Sequence, residues 1–293
     1  PTGFNLVYNR IGYAPGLHYK ENNKQIFSLP GVPSELQVML NEEIFPKLDK
    51  KSEYHEHVIV KTYGVPEAQI FFKIAPNLWE ELEKYGEASS LPHAYGVDIA
   101  VKVTNESQEK IQEAKKEIIE IIKKAGLEKY IWHIGSLSIE EVIINEAKEK
   151  NLSIGFAESC TGGLCASRIT DISGSSSVFW GSVVSYANEV KMKSLKVKEE
   201  TLKNHGAVSA ETALEMATGA REHLNVDIAI TTTGIAGPGG GSKEKPVGTV
   251  GIGFSDRLKS DSKLYYLNGN REQLKLRFSQ VALFTLLERI REH

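Results

Sequence analysis

From Ser138 onward, apolar residues switch repeatedly between short strand-like runs and helical spacing, and that alternation leaves few folds open. Ser138 with Glu141 three residues later is a capping-box signature, which starts a helix over "IEEVIINEAKEKN". Strand "LSIGFAES", helix "GGLCASRIT", strand "GSVVSYAN" and helices "EVKMKSL" and "SAETALEMATGAREHL" follow. Strands "VDIAITTT", "GTVGIGF" and "KLYYLNG" come next, then a last helix from Arg271. Strands alternating with helices predict a three-layer α/β domain. Open α/β sheets bind ligands beyond the carboxyl ends of their strands. There this segment concentrates its small polar residues.

Upstream the pattern differs. Residues 1–50 offer a hairpin, "LHYKE" and "QIFSL" around "ENNK", and a helix from cap Ser34, after Pro33, to Phe45. That is too little for an independent core. Residues 51–132 combine the alternating strands "HVIVKTYG" and "YGVDIAVKVT" with the helical "EAQIFFKIAPNLWEEL", which breaks at Pro76. The long amphipathic helix of "NESQEKIQEAKKEIIEIIKKAGL" stops at Gly126. A small α+β unit follows from this mix. It is similar to KH-like modules, but no GxxG clamp lies between its helices, so RNA binding has no support.

Charge excludes further classes. Of 293 residues 25% are charged and the net charge is −3, so no strong field draws the chain to nucleic acid or an anionic membrane. No apolar run approaches the ~20 residues of a membrane span. The start, "PTGFNLVYNR", has neither a signal-peptide core nor an initiator Met, and it reads as part of a longer chain. Cys160 and Cys165 form neither a disulfide framework nor a metal-ligand spacing, which suits a reducing cytoplasm. The histidines make no HExxH motif, and no metal site is expected.

Four stretches of the last segment invite chemistry. "ESCTGG" places Ser159, Thr161 and Gly162 where a strand becomes a helix. "DISGSSSVFWGS" gathers serines, among them Ser176, before a strand. "SYANEVK" sets Tyr186 and Lys191 about a strand-to-helix turn. "TTTGIAGPGGGSKEKPVGTVGIG" is a glycine loop between strands, lacking GxxxxGK[ST] and the dinucleotide fingerprint. Such a loop still presents backbone N–H groups to a phosphate or oxyanion.

No histidine is placed for a Ser-His-Asp arrangement; His205 reads as a loop residue before the cap Ser209. A Ser–Lys arrangement is open, because burial lowers a lysine's pKa toward that of a general base. A neutral Lys191 could accept a hydroxyl proton during attack on an amide or ester. The residues alone do not choose Ser176 over Ser159.

Together "AESCTGG", "DISGSS", "SYANEVK", "HGAVS", "TGIAGPGGG" and "KPVGTV" resemble the CinA C-terminal domain family, the competence/damage-inducible proteins and nicotinamide mononucleotide deamidases. The resemblance covers residues 138–293 with its motifs in order. "NRIGYAPG" and "LPGVPSE" look like the end of the molybdopterin-binding-like domain of long members, and "TYGVPEA" like their KH-like connector. The expected organisation is thus residues 1–50 as a remnant of that domain, 51–132 as connector and 133–293 as deamidase domain, an N-terminally truncated long form.

The resemblance implies hydrolysis of nicotinamide mononucleotide to nicotinic acid mononucleotide and ammonia by a Ser/Lys mechanism. Carried over, Ser176 is the nucleophile, Lys191 the base and Tyr186 a hydroxyl neighbour. Ser159, Thr161, Gly162, Thr233, Gly234 and Arg271 are expected to bind substrate. Ala187 departs from the family's more frequent serine, which affects local hydrogen bonding and not the dyad. No cofactor is expected for deamidation, and a divalent metal only if an N-terminal ADP-ribose activity were intact. A cytoplasmic homodimer is expected, without membrane or nucleic-acid partners. The rival readings are a non-catalytic nucleotide-binding or DNA-uptake accessory protein, and an ADP-ribose pyrophosphatase acting through the incomplete first segment.

Overall fold

The computed structural model describes residues 2–22, 24–48, 54–93 and 95–293, a mixed α/β chain with three sheets. It divides into two units, residues 1–56 with 104–113 and residues 57–103 with 114–293. The boundary expected at residues 50 and 51 lies outside the described residues.

In the smaller unit, β1 (Asn5–Val7), β2 (Gly16–Glu21) and β3 (Lys24–Ser28) form an antiparallel sheet in chain order. The expected hairpin closes with Glu21 opposite Lys24, while Asn23 lies outside the described residues. Helix α1 (Pro33–Met39) starts one residue before the expected cap: Val32 is the N-cap, and Ser34 lies inside the first turn. Pro33 presets the helical φ and removes one of the unpaired N–H groups of the start, which carries no side-chain cap. Val7, Met39 and Ile44 form a small core there.

A four-stranded sheet comprises β4 (Tyr54–Thr62), β5 (Gly86–His93), β6 (Gly96–Asn105) and β7 (Ile131–Ile134), in the order β5-β6-β4-β7. Its helices are α2 (Glu67–Gln69), α3 (Leu78–Leu82) and α4 (Gln108–Ile122). Strand β5, "GEASSLPH", has a turn-like composition and is not foreseen from sequence. It pairs with β6 along its whole length, from Gly86↔Val103 to His93↔Gly96. An apolar partner strand overrides weak local propensity.

Beyond Ser138, α5 (Ile139–Glu149) opens with the expected capping box. In chain order follow β8 (Ile154–Glu158), α6 (Leu164–Thr170), β9 (Phe179–Val184), α7 (Asn188–Leu195), α8 (Glu199–His205) and α9 (Ala210–Leu224). Then come β10 (Ile228–Gly234), β11 (Thr249–Ser255), β12 (Ser260–Tyr266) and α10 (Arg271–Glu292). His205 is therefore the exposed last residue of a helix, not a loop residue; "EETLKNH" is helical and Gly206 ends it.

The sheet runs β12-β11-β10-β8-β9, with β8 parallel to both neighbours and β11 antiparallel to β10 and β12. Strand alternation sorts side chains between two faces. Ile154, Phe156, Ile228 and Ile230 join the core with α5, α6 and α10, while Ala157 and Ala229 face Leu195, Met216 and Ala220. These are three layers. Gly219 lets α9 approach α7 closely, since a Cβ there would lie 1.8 Å from the Leu195 carbonyl oxygen.

Candidate active site

The crossover from β8 to β9 runs through α6 on one face, and the return from β9 to β10 through α7–α9 on the other. The carboxyl ends of β8 and β10 therefore lie side by side with the chain diverging around them, the usual seat of a ligand crevice. Ser159 follows the last residue of β8, and its N–H donates to the Thr232 carbonyl at 2.9 Å. A pocket opens there, lined by Ser159, Cys160, Tyr186, Lys191, Thr233 and Arg271, with residues 207–208 and the loop residues 234–237 and 239–240.

At its base stands Lys191, 1% exposed. Its Nζ lies 3.0 Å from Ser159 Oγ, 2.7 Å from the Ser185 carbonyl oxygen and 3.2 Å from that of Tyr186. Among the described residues no carboxylate pairs with it. Burial strips water from the ammonium and lowers its pKa. The geometry suits the neutral amine: two N–H groups meet two carbonyls, and the lone pair is left for the Ser159 hydroxyl proton. Cys160 is a poor rival, because burial pushes its thiol up to about 12 and keeps it protonated at neutral pH.

Ser176 is the correction. It lies exposed in the turn Ser175–Ser177 that leads into β9, and it neither touches Lys191 nor lines the pocket. Parallel strands joined by a helix start at the same end of the sheet. Ser176 precedes β9 and Tyr186 follows it, so the two stand at opposite ends of a six-residue strand, about 20 Å apart. Of the expected catalytic residues the structure brings Lys191 and Tyr186 together, with Ser159 in the place expected for Ser176.

The expected binding residues divide similarly. Thr233 and Gly234 line the pocket, with Thr233 Oγ1 donating to the Ala207 carbonyl at 2.6 Å. Arg271 begins α10 at the pocket edge; its guanidinium donates to the Gly237 carbonyl at 2.6 Å and reaches the Tyr186 hydroxyl at 3.5 Å. Thr161 turns inward instead, donating to Glu158 at 2.8 Å and meeting Thr232 Oγ1 at 2.7 Å, and it is not in the pocket wall. Gly162 is also outside the wall; its φ of +64° serves the turn. Neither Ser159 nor Thr161 caps α6. The Glu158 carboxylate does, accepting from the N–H groups of Gly163, Cys165 and Ala166. An acid closing an otherwise apolar strand was the available signal.

Fold and site together define an α/β protein with a buried Ser–Lys pair at the carboxyl ends of two parallel strands. Residues 136–290 match the CinA C-terminal domain family. A CinA-like protein of Chlorobaculum tepidum is 37% identical over 98% of this chain and 70% of its own length. The crystal structure of competence damage-inducible protein A from Klebsiella pneumoniae is 31% identical, covering 51% of this chain and 93% of its own, with a TM-score of 0.50. A CinA superfamily protein of the same species is 29% identical, covering 54% of this chain and all of its own, with a TM-score of 0.51. The chain belongs to the CinA family. No helix among the described residues is long and apolar enough to cross a membrane.

Proposed function

We propose that this chain is an amidohydrolase that converts nicotinamide mononucleotide and water to nicotinic acid mononucleotide and ammonia, with Ser159 as nucleophile and Lys191 as base. The observation that carries the reading is the buried Lys191 Nζ, 3.0 Å from Ser159 Oγ at the base of an open pocket. Ser159 Oγ attacks the carboxamide carbon while Lys191 takes the hydroxyl proton. Glycine-loop N–H groups stabilise the oxyanion. The C–N bond breaks, Lys191 returns the proton to the leaving nitrogen, and ammonia departs. Water, deprotonated by Lys191, then attacks the acyl-enzyme and frees the acid and Ser159.

Ammonia release from nicotinamide mononucleotide by the purified protein is the direct test. No release above the uncatalysed rate would end the proposal. The step as written uses no Lewis acid, so exhaustive chelation leaves the rate unchanged. Loss of activity in EDTA, restored by a divalent ion, would overturn the Ser/Lys route.

The pH profile carries a sign. Only neutral Lys191 accepts the proton, so kcat rises with pH and levels above the lysine's folded-state pKa. Burial has moved that value below the ordinary lysine range, so the limb lies below about 10.4. A limb at or above that value would mean that the base is not this desolvated lysine.

A further inference from the structure

Glu158 has no role in the chemistry above, yet it is fully buried immediately before Ser159. A buried carboxylate must be satisfied, and this one is held by neutral donors on every side. Its Oε2 accepts from Thr161 Oγ1 at 2.8 Å, Gly163 N at 2.9 Å and Cys165 N at 3.0 Å. Its Oε1 accepts from Ala166 N at 2.9 Å and Ser182 Oγ at 3.2 Å. The carboxylate thus ties three pieces together: the turn after Ser159, the first turn of α6 and the neighbouring strand β9. Its main chain adds a fourth tie. The Glu158 carbonyl accepts from Ser185 N at 2.8 Å, and the Ser185 carbonyl in turn accepts from Lys191 Nζ at 2.7 Å. One residue therefore fixes the strand end that carries Ser159 and, through Ser185, the carbonyl that aims Lys191.

We propose that Glu158 is a positioning residue for the reacting pair, setting the Ser159–Lys191 distance from the far side of the strand without touching substrate. This rests on the reading of Ser159 and Lys191 as nucleophile and base. Proton transfer is steep in donor–acceptor distance, whereas substrate binding is spread over the pocket. Loosening the network therefore falls on kcat and spares KM. Gln at this position keeps the shape but puts an NH2 group where one oxygen now accepts, so it opposes some of these donors.

The test uses the full chain and two readouts: steady-state ammonia release, and the rate at which diisopropyl fluorophosphate labels Ser159, located by mass spectrometry. Glu158→Gln is expected to lower kcat and the labelling rate together by about 10- to 100-fold, with KM within about 3-fold. Thr161→Val and Ser182→Ala each remove one hydrogen bond to the carboxylate and disturb the fold least. They are expected to lower both rates by about 3- to 10-fold, which keeps the test decisive if Glu158→Gln does not fold. Unchanged kcat and labelling in Thr161→Val and Ser182→Ala, or in a folded Glu158→Gln, overturn the proposal. A rise in KM with kcat intact also overturns it, placing the network's effect on binding. If wild-type Ser159 resists the reagent and Ser159→Ala still releases ammonia, the nucleophile assignment fails and this proposal fails with it.

Discussion

Alanine at Ser159 or at Lys191 is expected to lower the proposed ammonia release from nicotinamide mononucleotide by at least about 1000-fold, with the double substitution little worse than either single one. The near-identity of the three losses follows from the geometry. In the proposed mechanism Ser159 Oγ and Lys191 Nζ, 3.0 Å apart, act as one proton-transfer unit, and half a unit transfers nothing. Ser176→Ala stays within about 2-fold of wild type, because Ser176 is exposed at the other end of β9. Melting curves on the same variants separate chemistry from folding. Lys191→Ala leaves the Ser185 and Tyr186 carbonyls without their donor, so it lowers stability as well, whereas Ser159→Ala deletes only a hydroxyl at the pocket wall. A Ser176→Ala variant that loses turnover while Ser159→Ala keeps it would reverse the assignment. It would require a second base outside this pocket.

The order of elements from Ser138 onward was legible because each apolar run kept one period. Ser138, Ser209 and the Arg271 helix start stand where their patterns put them. That Tyr186, Lys191, Thr233 and Arg271 line one pocket was legible because each lies at the end of a strand, just after one or in the first turn of a helix. Ser176 misled for a reason that also lay in the order of elements: it precedes its strand, and in a parallel pair the site residues follow theirs. Local composition does not show strand direction; the connection through α6 does. Glu158 was less accessible. A carboxylate inside "IGFAES" is compatible with a frayed strand end, and only the fold brings Gly163, Cys165, Ala166 and Ser182 around it. Residues 207–208 of the pocket wall were legible only as part of the family-like "HGAVS" and not from local pattern, since tertiary packing brings them there from beyond α8. Strand β5 was hidden because its pairing energy comes from β6 and not from its own residues.

Arg271→Ala is expected to cut kcat/KM for nicotinamide mononucleotide by about 10- to 100-fold while barely changing the weak turnover of nicotinamide riboside. The reacting carboxamide is uncharged, yet a guanidinium stands at the pocket edge with the glycine loop beside it. A 5′-phosphate is the part of the proposed substrate that matches those donors, and an arginine holds phosphate through two parallel hydrogen bonds. Two features limit the size of the effect. Arg271 is exposed, so solvent screens the contact. Its guanidinium also already donates to the Gly237 carbonyl at 2.6 Å, and binding phosphate means exchanging or sharing that bond. Arg271→Lys keeps the charge but loses the two-pronged geometry and the span from Gly237 to Tyr186, so it recovers only part of the loss. Because the contact is made equally in the ground and transition states, the change appears mainly in KM. Its size shrinks as salt is raised. Measuring kcat and KM for both substrates, in wild type and both variants at two ionic strengths, decides the matter. An equal proportional loss on the riboside would mean that Arg271 holds Tyr186 and the Gly237 loop in catalytic register and does not read the phosphate.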